Sequence, residues 1–421
     1  MRVLIVSQYY RPENAVIPAT IATALADRGH DVRVLTGYPN YPDGRLFQGY
    51  RQRWRTREDD GAVKILRVPL WIDHSQNATR RTLNYISFGL SATTAFDFAR
   101  GADVVYVYAT QMTPALAPWF WRVLGGAPYV LHVQDLWPDS ITGSSLVRGG
   151  RAAGIVDAML TPWLSSVYRR AAAVMGIAPT MVKTLIERGV EPTKAHLVYN
   201  WGDEQAIPSA AGIDLPRSLD GTSILYGGNV GDMQDLETAV QAAHRCRDAG
   251  VRLRIVGDGV ALPRVRAVAE QLGTTNVTFE GRVSREQFGS YYRAADYALV
   301  SLKDLAAFRG TIPSKFQAAL SHATPVISTV QGDVRAFIEE FSIGFAAYAE
   351  DVDSLESAFR RAAALAGWER KEMAERARDA YLSRFSLDVG IAAIDDILQV
   401  ASRSAPNSRD SYTNGEAYAV S

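Results

Sequence analysis

The chain has 421 residues, of which 47% are hydrophobic and 21% are charged, and this length and composition predict a globular protein of two or three domains. Its 45 basic and 45 acidic residues give a formal net charge of zero, which argues against general nucleic-acid binding because such binding depends on a basic surface. The single cysteine, Cys246, excludes a disulfide within the chain and a cysteine-based metal site.

The first half of the chain alternates between short apolar runs and helical stretches. The runs are rich in valine and isoleucine and have the length of strands, while a stretch such as 18–28 has the pattern of a helix and ends at Gly29. This alternation predicts a parallel sheet with crossover helices. The predicted strands are residues 3–6, 32–35, 104–107, 129–133 and 173–175.

The second half repeats this pattern, with helices predicted at 235–248 and 262–272. We therefore expect two doubly wound α/β domains, with a ligand site in the cleft between them, outside the carboxyl ends of the strands. The strands predicted in this half are residues 223–226, 252–256, 277–279, 297–300 and 325–328.

The predicted domain boundary falls near residues 196–220, where the stretches 200–203 and 208–212 break the periodicity. The N-terminal domain is expected to cover residues 1–198 and the C-terminal domain residues 199–385. The segment from about residue 369 to residue 401 has a helical pattern, with a break near Phe385-Ser386. The polar tail at 402–421 is predicted to be disordered.

The N-terminus enters a strand pattern without the apolar region of a signal peptide, and no unbroken apolar run reaches about 18 residues. We therefore expect a cytoplasmic protein. The segments 80–96 and 114–124 combine arginines with strongly apolar helical patterns, which suits peripheral contact with the cytoplasmic face of the inner membrane. The alternative is a pair of buried helices with solvated arginines.

Three polar segments of the first half follow predicted strands, at 9–14, 38–44 and 132–138. Because the carboxyl ends of parallel strands share one edge of the sheet, these segments should lie together. Asp135 is a candidate functional acid, since strand-end loops commonly carry function. Its structural alternative is a helix cap or a turn residue.

In the second half, the segment YGGNVGD at 226–232 places a glycine turn between a strand and a helix, which is typical of a phosphate-binding site. Two further turns follow strands at 256–259 and 279–283. The stretch FRGTIPSKF at 308–316 sets Arg309 and Lys315 around a helix start. Two cations beside the positive end of a helix favour a bound anion, although a solvated surface turn fits as well.

Taken together, these motifs resemble the GT-B retaining glycosyltransferases of group 1 (family 4 type). The likeness covers nearly the whole chain up to about residue 400, and within the group it is nearest to the WbuB-like bacterial N-acetylfucosamine transferases of O-antigen, capsule and colanic-acid synthesis. The stretches that carry it are SQYYRPE near the start, GHDVRVLTGYPNYPDGRLFQGY at 29–50, RRTLNYISF at 80–88, VQDLWPDS at 133–140, NWGDE at 200–204, YGGNVGDMQDLE at 226–237 and GTIPSK at 310–315.

The resemblance implies two Rossmann-like domains. The N-terminal domain would bind an acceptor, the C-terminal domain would bind a nucleotide-sugar donor, and residues 386–401 would form a helix that crosses back to the first domain. It implies retention of anomeric configuration and no metal or other cofactor. The donor is expected to be UDP-linked, and the acceptor a polyprenyl-diphosphate saccharide, with a soluble small molecule as the alternative.

The resemblance also assigns roles to individual residues. Lys315, Arg309 and Asp135 would be catalytic, the two cations by neutralising the diphosphate leaving group and Asp135 by lying near the sugar. The remaining donor-binding residues would be Gly228, Asn229, Gly231, Arg282, Val283 and Ser314, with Arg282 and Val283 at the base. The acceptor-side residues would be Asn14, Asn40 and Tyr41.

The chain departs from the family pattern at four positions. Gly310 and Ala318 stand where many relatives have a Glu-x7-Glu pair, Asp232 stands where many have a cation, and Gln134 replaces a frequent histidine. These departures keep two other hypotheses open. One is a degenerate protein that binds a nucleotide sugar without transferring it, and the other is a sugar-nucleotide 2-epimerase on the same fold.

Overall fold

The computed structural model describes residues 1–73, 78–137, 151–202 and 221–403, and these form two compact α/β units. Unit 1 comprises Met1–Gly176, Leu185–His196 and Ile391–Ser421, and unit 2 comprises Ile177–Thr184 and Leu197–Gly390. The tail was predicted to be disordered, and its residues from 404 onward lie outside the described ranges. The same is true of 208–212 in the predicted boundary.

Unit 1 is built on one eight-stranded sheet. Its strands are β1 (Arg2–Val6), β2 (Asp31–Gly37), β3 (Thr56–Asp60), β4 (Val63–Val68), β5 (Val104–Ala109), β6 (Tyr129–Val133), β7 (Ala173–Gly176) and β8 (Ala195–Leu197), in the spatial order β3-β4-β2-β1-β5-β6-β7-β8. Strand β1 pairs in parallel with both neighbours, Leu4 lying opposite Arg33 and Val105. Strand β3 runs antiparallel to β4 at the edge.

Unit 2 is built on a six-stranded sheet whose paired strands are all parallel. Its strands are β9 (Thr222–Gly227), β10 (Val251–Val256), β11 (Val277–Gly281), β12 (Tyr297–Val300), β13 (Val326–Ser328) and β14 (Gly344–Ala346), in the spatial order β11-β10-β9-β12-β13-β14. Side chains of Ile224, Leu253 and Leu299 from this sheet are buried in the core of the unit.

Helices cover both sheets. In the part of the chain that the structure describes they are α1 (Val16–Asp27), α2 (Ala78–Thr93), α3 (Phe96–Ala99), α4 (Leu116–Val123), α5 (Arg151–Arg170), α6 (Pro179–Glu187), α7 (Leu236–Arg245), α8 (Leu262–Gln271), α9 (Arg285–Ala294), α10 (Ala306–Arg309), α11 (Ser314–Ser321), α12 (Asp333–Phe341), α13 (Val352–Ala364), α14 (Gly367–Arg384) and α15 (Leu387–Arg403). None of these described helices is long and apolar enough to cross a membrane.

The final helix, α15, ends on unit 1, to which residues from Ile391 onward belong. The carboxylate of Asp395 in this helix lies 2.9 Å from Nε2 of His30 and 3.6 Å from the guanidinium of Arg28. Both partners follow α1, so the C-terminus of the described chain is fastened to the first sheet domain.

The predicted fold class, two parallel-sheet α/β domains, is confirmed, and each of the ten predicted strands is present. Strands β3, β4, β8 and β14 were not predicted. The strand order changes direction at β1, between β2 and β5, and at β9, between β10 and β12. Open α/β sheets bind ligands at the carboxyl ends of strands next to such switch points, which directs attention to the loops after β1 and β9.

Candidate active site

Three glycine turns interlock at the carboxyl edge of the unit 2 sheet. The amide of Gly228, after β9, donates to the carbonyl of Val256 at 2.8 Å, and the amide of Gly257, after β10, donates to the carbonyl of Gly281 at 2.7 Å. Gly228 has φ +124° and Gly257 has φ +140°, a conformation that residues other than glycine rarely adopt. The glycines therefore let the three turns pack closely against one another at this edge, next to the place where a phosphate would bind in a strand–turn–helix arrangement.

Lys315 packs directly over this edge. A Cβ atom built on Gly228 would lie 2.7 Å from Cε of Lys315 and 3.3 Å from its Nζ, so the glycine is needed for the lysine to approach. Lys315 belongs to the first turn of α11, whose N-cap is Pro313. A cation and the free amides of a helix start thus meet the glycine turn, which is an arrangement suited to an anion.

A short relay of hydrogen bonds holds the lysine. Nζ of Lys315 donates to the hydroxyl of Tyr226, and that hydroxyl donates to the carbonyl of Asn229 at 2.5 Å. Burial lowers the pKa of Lys315 to about 7, because desolvation disfavours the charged ammonium. A bound anion would favour that charge, so the site is poised to respond to one. Tyr226 was not among the predicted site residues.

The other predicted donor-side residues have different surroundings. The Asn229 side chain is exposed and its amide lies beside Gly231 and Gly259. The Gly231 amide donates to Oε1 of Gln234 at 3.0 Å. Ser314 is exposed as the first residue of α11.

Arg282 and Arg309 are exposed, and each is paired with an aspartate. Nε of Arg282 lies 3.2 Å from Asp258. Arg309 makes a bidentate pair with Asp304, at 2.8 Å and 2.6 Å. Arg309 was predicted to act with Lys315 as a second cation for the anion, and that role stays a prediction; in the structure its guanidinium is paired with Asp304. Val283, next to Arg282, is half-buried.

Two departures from the family pattern have local explanations in unit 2. A Cβ at Gly310 would lie 3.0 Å and 3.3 Å from the side chain of Thr180, so a glutamate, which the resemblance implies for this position, would be crowded by Thr180. Asp232, where many relatives have a cation, lies 2.9 Å from Arg264. A cation is therefore present beside the glycine turn, but it comes from α8.

In unit 1, the buried carboxylate of Glu13 ties two strand-end loops together. Its Oε1 accepts hydrogen bonds from the amides of Asn40 at 2.7 Å and Tyr41 at 2.8 Å, and its Oε2 accepts from the amide of Tyr10 at 3.2 Å. Burial raises the pKa of Glu13, and these three amide donors oppose that shift. No motif in the sequence assigned a role to Glu13, although its neighbour Asn14 was predicted to face the acceptor.

The three predicted acceptor-side residues are presented differently. Asn14 and Tyr41 are exposed. Asn40 is fully buried, its Nδ2 donates to the carbonyl of Tyr38 at 2.8 Å, and its Oδ1 is buried without a hydrogen-bond partner among the described residues. Asn40 therefore shapes the loop from inside, while Asn14 and Tyr41 lie at its surface.

Aromatic side chains gather at the same sheet edge. The rings of Tyr9 and Tyr41 are 5.3 Å apart, and those of Tyr85 and Trp137 are 6.2 Å apart. Burial, together with Tyr85 and Glu13 nearby, raises the pKa of Tyr9, so its hydroxyl stays protonated and can donate a hydrogen bond. Trp137 is buried.

Asp135 follows β6 at this edge. Its side chain reaches solvent, yet enough protein surrounds the carboxylate to reduce its hydration, and this desolvation raises its pKa to about 6. No hydrogen bond that would mark Asp135 as a helix cap is seen among the described residues. A carboxylate that titrates near neutrality at a strand end is a functional-site candidate.

Two family models match the chain, one over each half. The model for the glycosyl transferase 4-like domain matches residues 15–201, and the model for the glycosyl transferases group 1 matches residues 221–364. The chain is therefore a glycosyltransferase, with a 4-like domain in its first half and a group 1 domain in its second. The predicted enzyme class is confirmed, and the interlocked glycine turns lie within the second match.

Relatives of this glycosyltransferase agree with that assignment. WcaI of Escherichia coli strain K12, named as a putative colanic acid biosynthesis glycosyl transferase, is 29% identical over 90% of this chain and 97% of its own length. Among solved structures, the sucrose-phosphate synthase of Thermosynechococcus elongatus superposes with a TM-score of 0.68 at 16% identity, over 95% of this chain and 98% of that one. Anabaena Alr3699/HepE in complex with UDP superposes with a TM-score of 0.66 at 15% identity, over 95% and 100% of the two chains. These two superpositions establish the GT-B fold.

Proposed function

We propose that this glycosyltransferase moves an N-acetylated hexosamine or deoxyhexosamine from a UDP-sugar to a hydroxyl of a polyprenyl-diphosphate-linked saccharide, with retention of configuration. The observation that carries the proposal is the approach of Lys315 to the Gly228 turn at the head of α11. Because glycine backbone, helix amides and an ammonium converge there, the site suits the diphosphate of a nucleotide sugar.

The identity of the donor and the pathway is supported by the relatives. The UDP in the Anabaena structure favours a UDP-sugar, and the name of the colanic acid relative favours surface polysaccharide synthesis. The resemblance to WbuB-like transferases favours an N-acetylated sugar. A lipid-linked acceptor would bring the enzyme to a membrane surface.

In the proposed reaction, the bond between the anomeric carbon and the diphosphate breaks while the acceptor hydroxyl attacks from the same face. Negative charge grows on the leaving diphosphate, where the Lys315 ammonium and the first amides of α11 stabilise it. The departing phosphate oxygen takes the proton of the acceptor hydroxyl, so no protein nucleophile is needed. Asp135 would hydrogen-bond a sugar hydroxyl and orient it.

The acceptor would be held by unit 1. Exposed Asn14 and Tyr41, fixed in place through Glu13, offer hydrogen bonds, while the Tyr9 and Tyr41 rings offer apolar faces to a sugar. Aromatic rings with polar tips suit such amphipathic ligands. No metal takes part in this proposal, so chelation with EDTA should leave the rate unchanged.

The test is a transfer assay over UDP- and GDP-sugars, each with and without a polyprenyl-diphosphate acceptor. Acceptor-dependent release of UDP is expected, lost by at least about a hundredfold in Lys315→Ala and retained in Lys371→Ala, which removes an exposed lysine on α14. NMR of the product should show the donor's anomeric configuration.

Three results would overturn the proposal. Tight donor binding without turnover on any acceptor would indicate the degenerate binding protein. Formation of a C2 epimer from the donor alone would indicate the epimerase, and an inverted product would remove the retaining mechanism.

A further inference from the structure

The exposed large apolar side chains of unit 1 are concentrated in a few neighbouring segments. Apart from Tyr41 and Val400, all of those in the described part of the unit lie on residues 54–71, on α2 and the start of α3, or on α4 and the residue after it. These side chains are Trp54, Trp71, Leu83, Ile86, Leu90, Phe96, Phe120, Val123 and Leu124. Contiguous exposed apolar surface of this kind marks an interaction site.

Helix α2 is apolar on both of its faces. Its packed face carries buried Phe88 and Ala92. Leu83, Ile86 and Leu90 are 47%, 42% and 56% exposed, and their spacing of three and four residues puts them on one stripe. Three large apolar side chains in one exposed stripe mark a candidate contact surface.

The stripe continues onto α4. The indole nitrogen of Trp121 in α4 donates to the carbonyl of Thr93 at the end of α2, at 2.9 Å. A Cβ at Gly89 of α2 would lie 2.8 Å from the carbonyl of Thr113, just before α4. The two helices are therefore in close contact, and the outward side chains of α4 extend the apolar surface.

On the other side, α2 adjoins two exposed tryptophans. A groove of about 480 Å³ is lined by Trp54, Trp71 and the α2 residues Ser87 and Ser91, among others. The amide of Trp71 donates to Oγ of Ser87 at 2.8 Å. Trp54 and Trp71 are 63% and 57% exposed, and such amphipathic rings favour the boundary between apolar and aqueous phases.

Within three stretches of this surface, every charged residue is an arginine. The stretches 44–57, 78–96 and 113–126 contain no aspartate, glutamate or lysine, whereas the whole chain has a net charge of zero. Acidic groups at the border are Asp97, which pairs with Arg55 at 2.7 Å, and Asp73, which lies 3.8 Å from Arg80. The first stretch is also flanked by acidic residues, of which Glu58 pairs with Arg67 and Asp60 with Arg11. Arginines still outnumber these acidic groups. The arginines of the three stretches are Arg45, Arg51, Arg53, Arg55, Arg57, Arg80, Arg81 and Arg122.

We propose that these segments form a docking face for an anionic lipid bilayer, named here the lipid-docking face and defined by Trp54, Trp71, Leu83, Ile86 and Leu90 with the arginines around them. Apolar side chains and tryptophans would enter the headgroup region, and arginines would lie at the lipid phosphates. The excess of positive charge selects an anionic bilayer over a neutral one. This inference goes beyond the proposed sugar transfer, because lipid binding requires neither donor nor acceptor.

The test is flotation of the whole protein with vesicles of phosphatidylglycerol and phosphatidylcholine, compared with vesicles of phosphatidylcholine alone. We expect binding to the anionic vesicles, weakened by high salt because exposed charges are screened. Leu83→Glu should reduce the partition by about tenfold or more, since it places a carboxylate in the contact. Leu382→Glu is the matched control, because Leu382 is equally exposed at 47% on α14 of unit 2, and it should bind as wild type does.

A second measurement locates the contact. In vesicles carrying brominated lipid, tryptophan fluorescence should be quenched, and the double variant Trp54→Phe, Trp71→Phe should still bind while losing much of the quenching.

The proposal is overturned if wild type does not float with anionic vesicles, or if Leu83→Glu floats as well as wild type. Self-association that Leu83→Glu abolishes, without vesicle binding, would assign the face to a second copy of the chain instead. Soluble-acceptor turnover measured in parallel separates any of these outcomes from failure of the proposed function.

Discussion

The side chain of Lys315 donates a hydrogen bond to the hydroxyl of Tyr226, with Nζ 4.0 Å from the centre of the tyrosine ring. Because the same hydroxyl donates to the Asn229 carbonyl, Tyr226 fixes both the cation and the glycine turn. Tyr226→Phe should raise the donor KM by about fivefold, the effect of losing one hydrogen bond of about 1 kcal/mol, with a smaller effect on kcat. Steady-state kinetics with varied donor would check this, and Tyr348→Phe, an exposed tyrosine of unit 2, is the control. An unchanged donor KM would show that Lys315 is held without Tyr226.

The titration of Lys315 should be visible in donor binding. Burial lowers its pKa to about 7, so above this pH the lysine of the free enzyme is mostly neutral. A diphosphate favours the charged form, and UDP binding should therefore take up a proton and weaken as the pH rises above about 7.

Calorimetry at about pH 8, in two buffers of different ionisation enthalpy, measures the proton uptake. Lys315→Arg, whose guanidinium stays charged, should bind UDP with no uptake and a flat pH profile. Equal uptake in wild type and Lys315→Arg would assign the proton to another group.

Gly228 should tolerate no side chain. Its φ of +124° and the 2.7 Å that would separate an added Cβ from Cε of Lys315 predict that Gly228→Ala strains the turn by roughly 1–3 kcal/mol and displaces the lysine. We expect a lower melting temperature and a loss of donor turnover of about tenfold or more. Gly367→Ala is the control, since a Cβ there meets nothing within 4 Å. Full activity of Gly228→Ala would mean that the turn does not contact the donor.

The strand pattern predicted the layout of the glycine turns in unit 2, because parallel strands necessarily bring their carboxyl ends to one edge. The three turns after β9, β10 and β11 were identified from short glycine motifs, and they interlock. The edge strand β3 was not predicted because its sequence, TREDD, is polar and lacks the valine and isoleucine content of a buried strand.

Side-chain pairings were less accessible to prediction. Glu13 binds the amides of Asn40 and Tyr41, 27 and 28 positions away, and no local pattern in the sequence connects them. Arg309 pairs with Asp304, five residues earlier, and the motif that singled out Arg309 did not include this partner. The lowered pKa of Lys315 follows from burial, which depends on packing rather than on the residues beside it.

Glu13→Gln tests whether the two acceptor-side loops depend on this carboxylate. The glutamine has one oxygen and one N–H₂ group in place of the two carboxylate oxygens. If its oxygen accepts from the amides of Asn40 and Tyr41, its N–H₂ group faces the amide of Tyr10. If its oxygen accepts from Tyr10 instead, the N–H₂ group faces the amides of Asn40 and Tyr41. We expect a stability loss of about 1–3 kcal/mol, since a charge-assisted bond is replaced by opposed donors.

In kinetics, Glu13→Gln should raise the acceptor KM and leave the donor KM unchanged. The control is Glu375→Gln, which removes an exposed carboxylate on α14. A rise in the donor KM instead would show that the effect of Glu13 is not confined to the acceptor loops.

Asp135→Asn should change the pH dependence of stability. Desolvation raises the folded pKa of Asp135 to about 6, above its ordinary value of 3.8. Between these values the folded protein binds more protons than the unfolded chain, so stability decreases as the pH rises through this window and the cost is complete above about pH 6. Asp135→Asn removes the charge and should melt higher than wild type at about pH 7.5, with the difference shrinking toward pH 4.

Activity of Asp135→Asn should move in the opposite direction, because an ionised Asp135 is proposed to orient the sugar. Wild-type kcat/KM should decrease as the pH is lowered below about 6. The variant should be about tenfold or more slower, and its rate should not show this decrease on the acid side. Asp379→Asn, at an exposed position on α14, should leave both the melting and the rate profiles unchanged. If Asp135→Asn melts higher but keeps the full rate and the decrease in rate at acid pH, then Asp135 takes no part in the reaction.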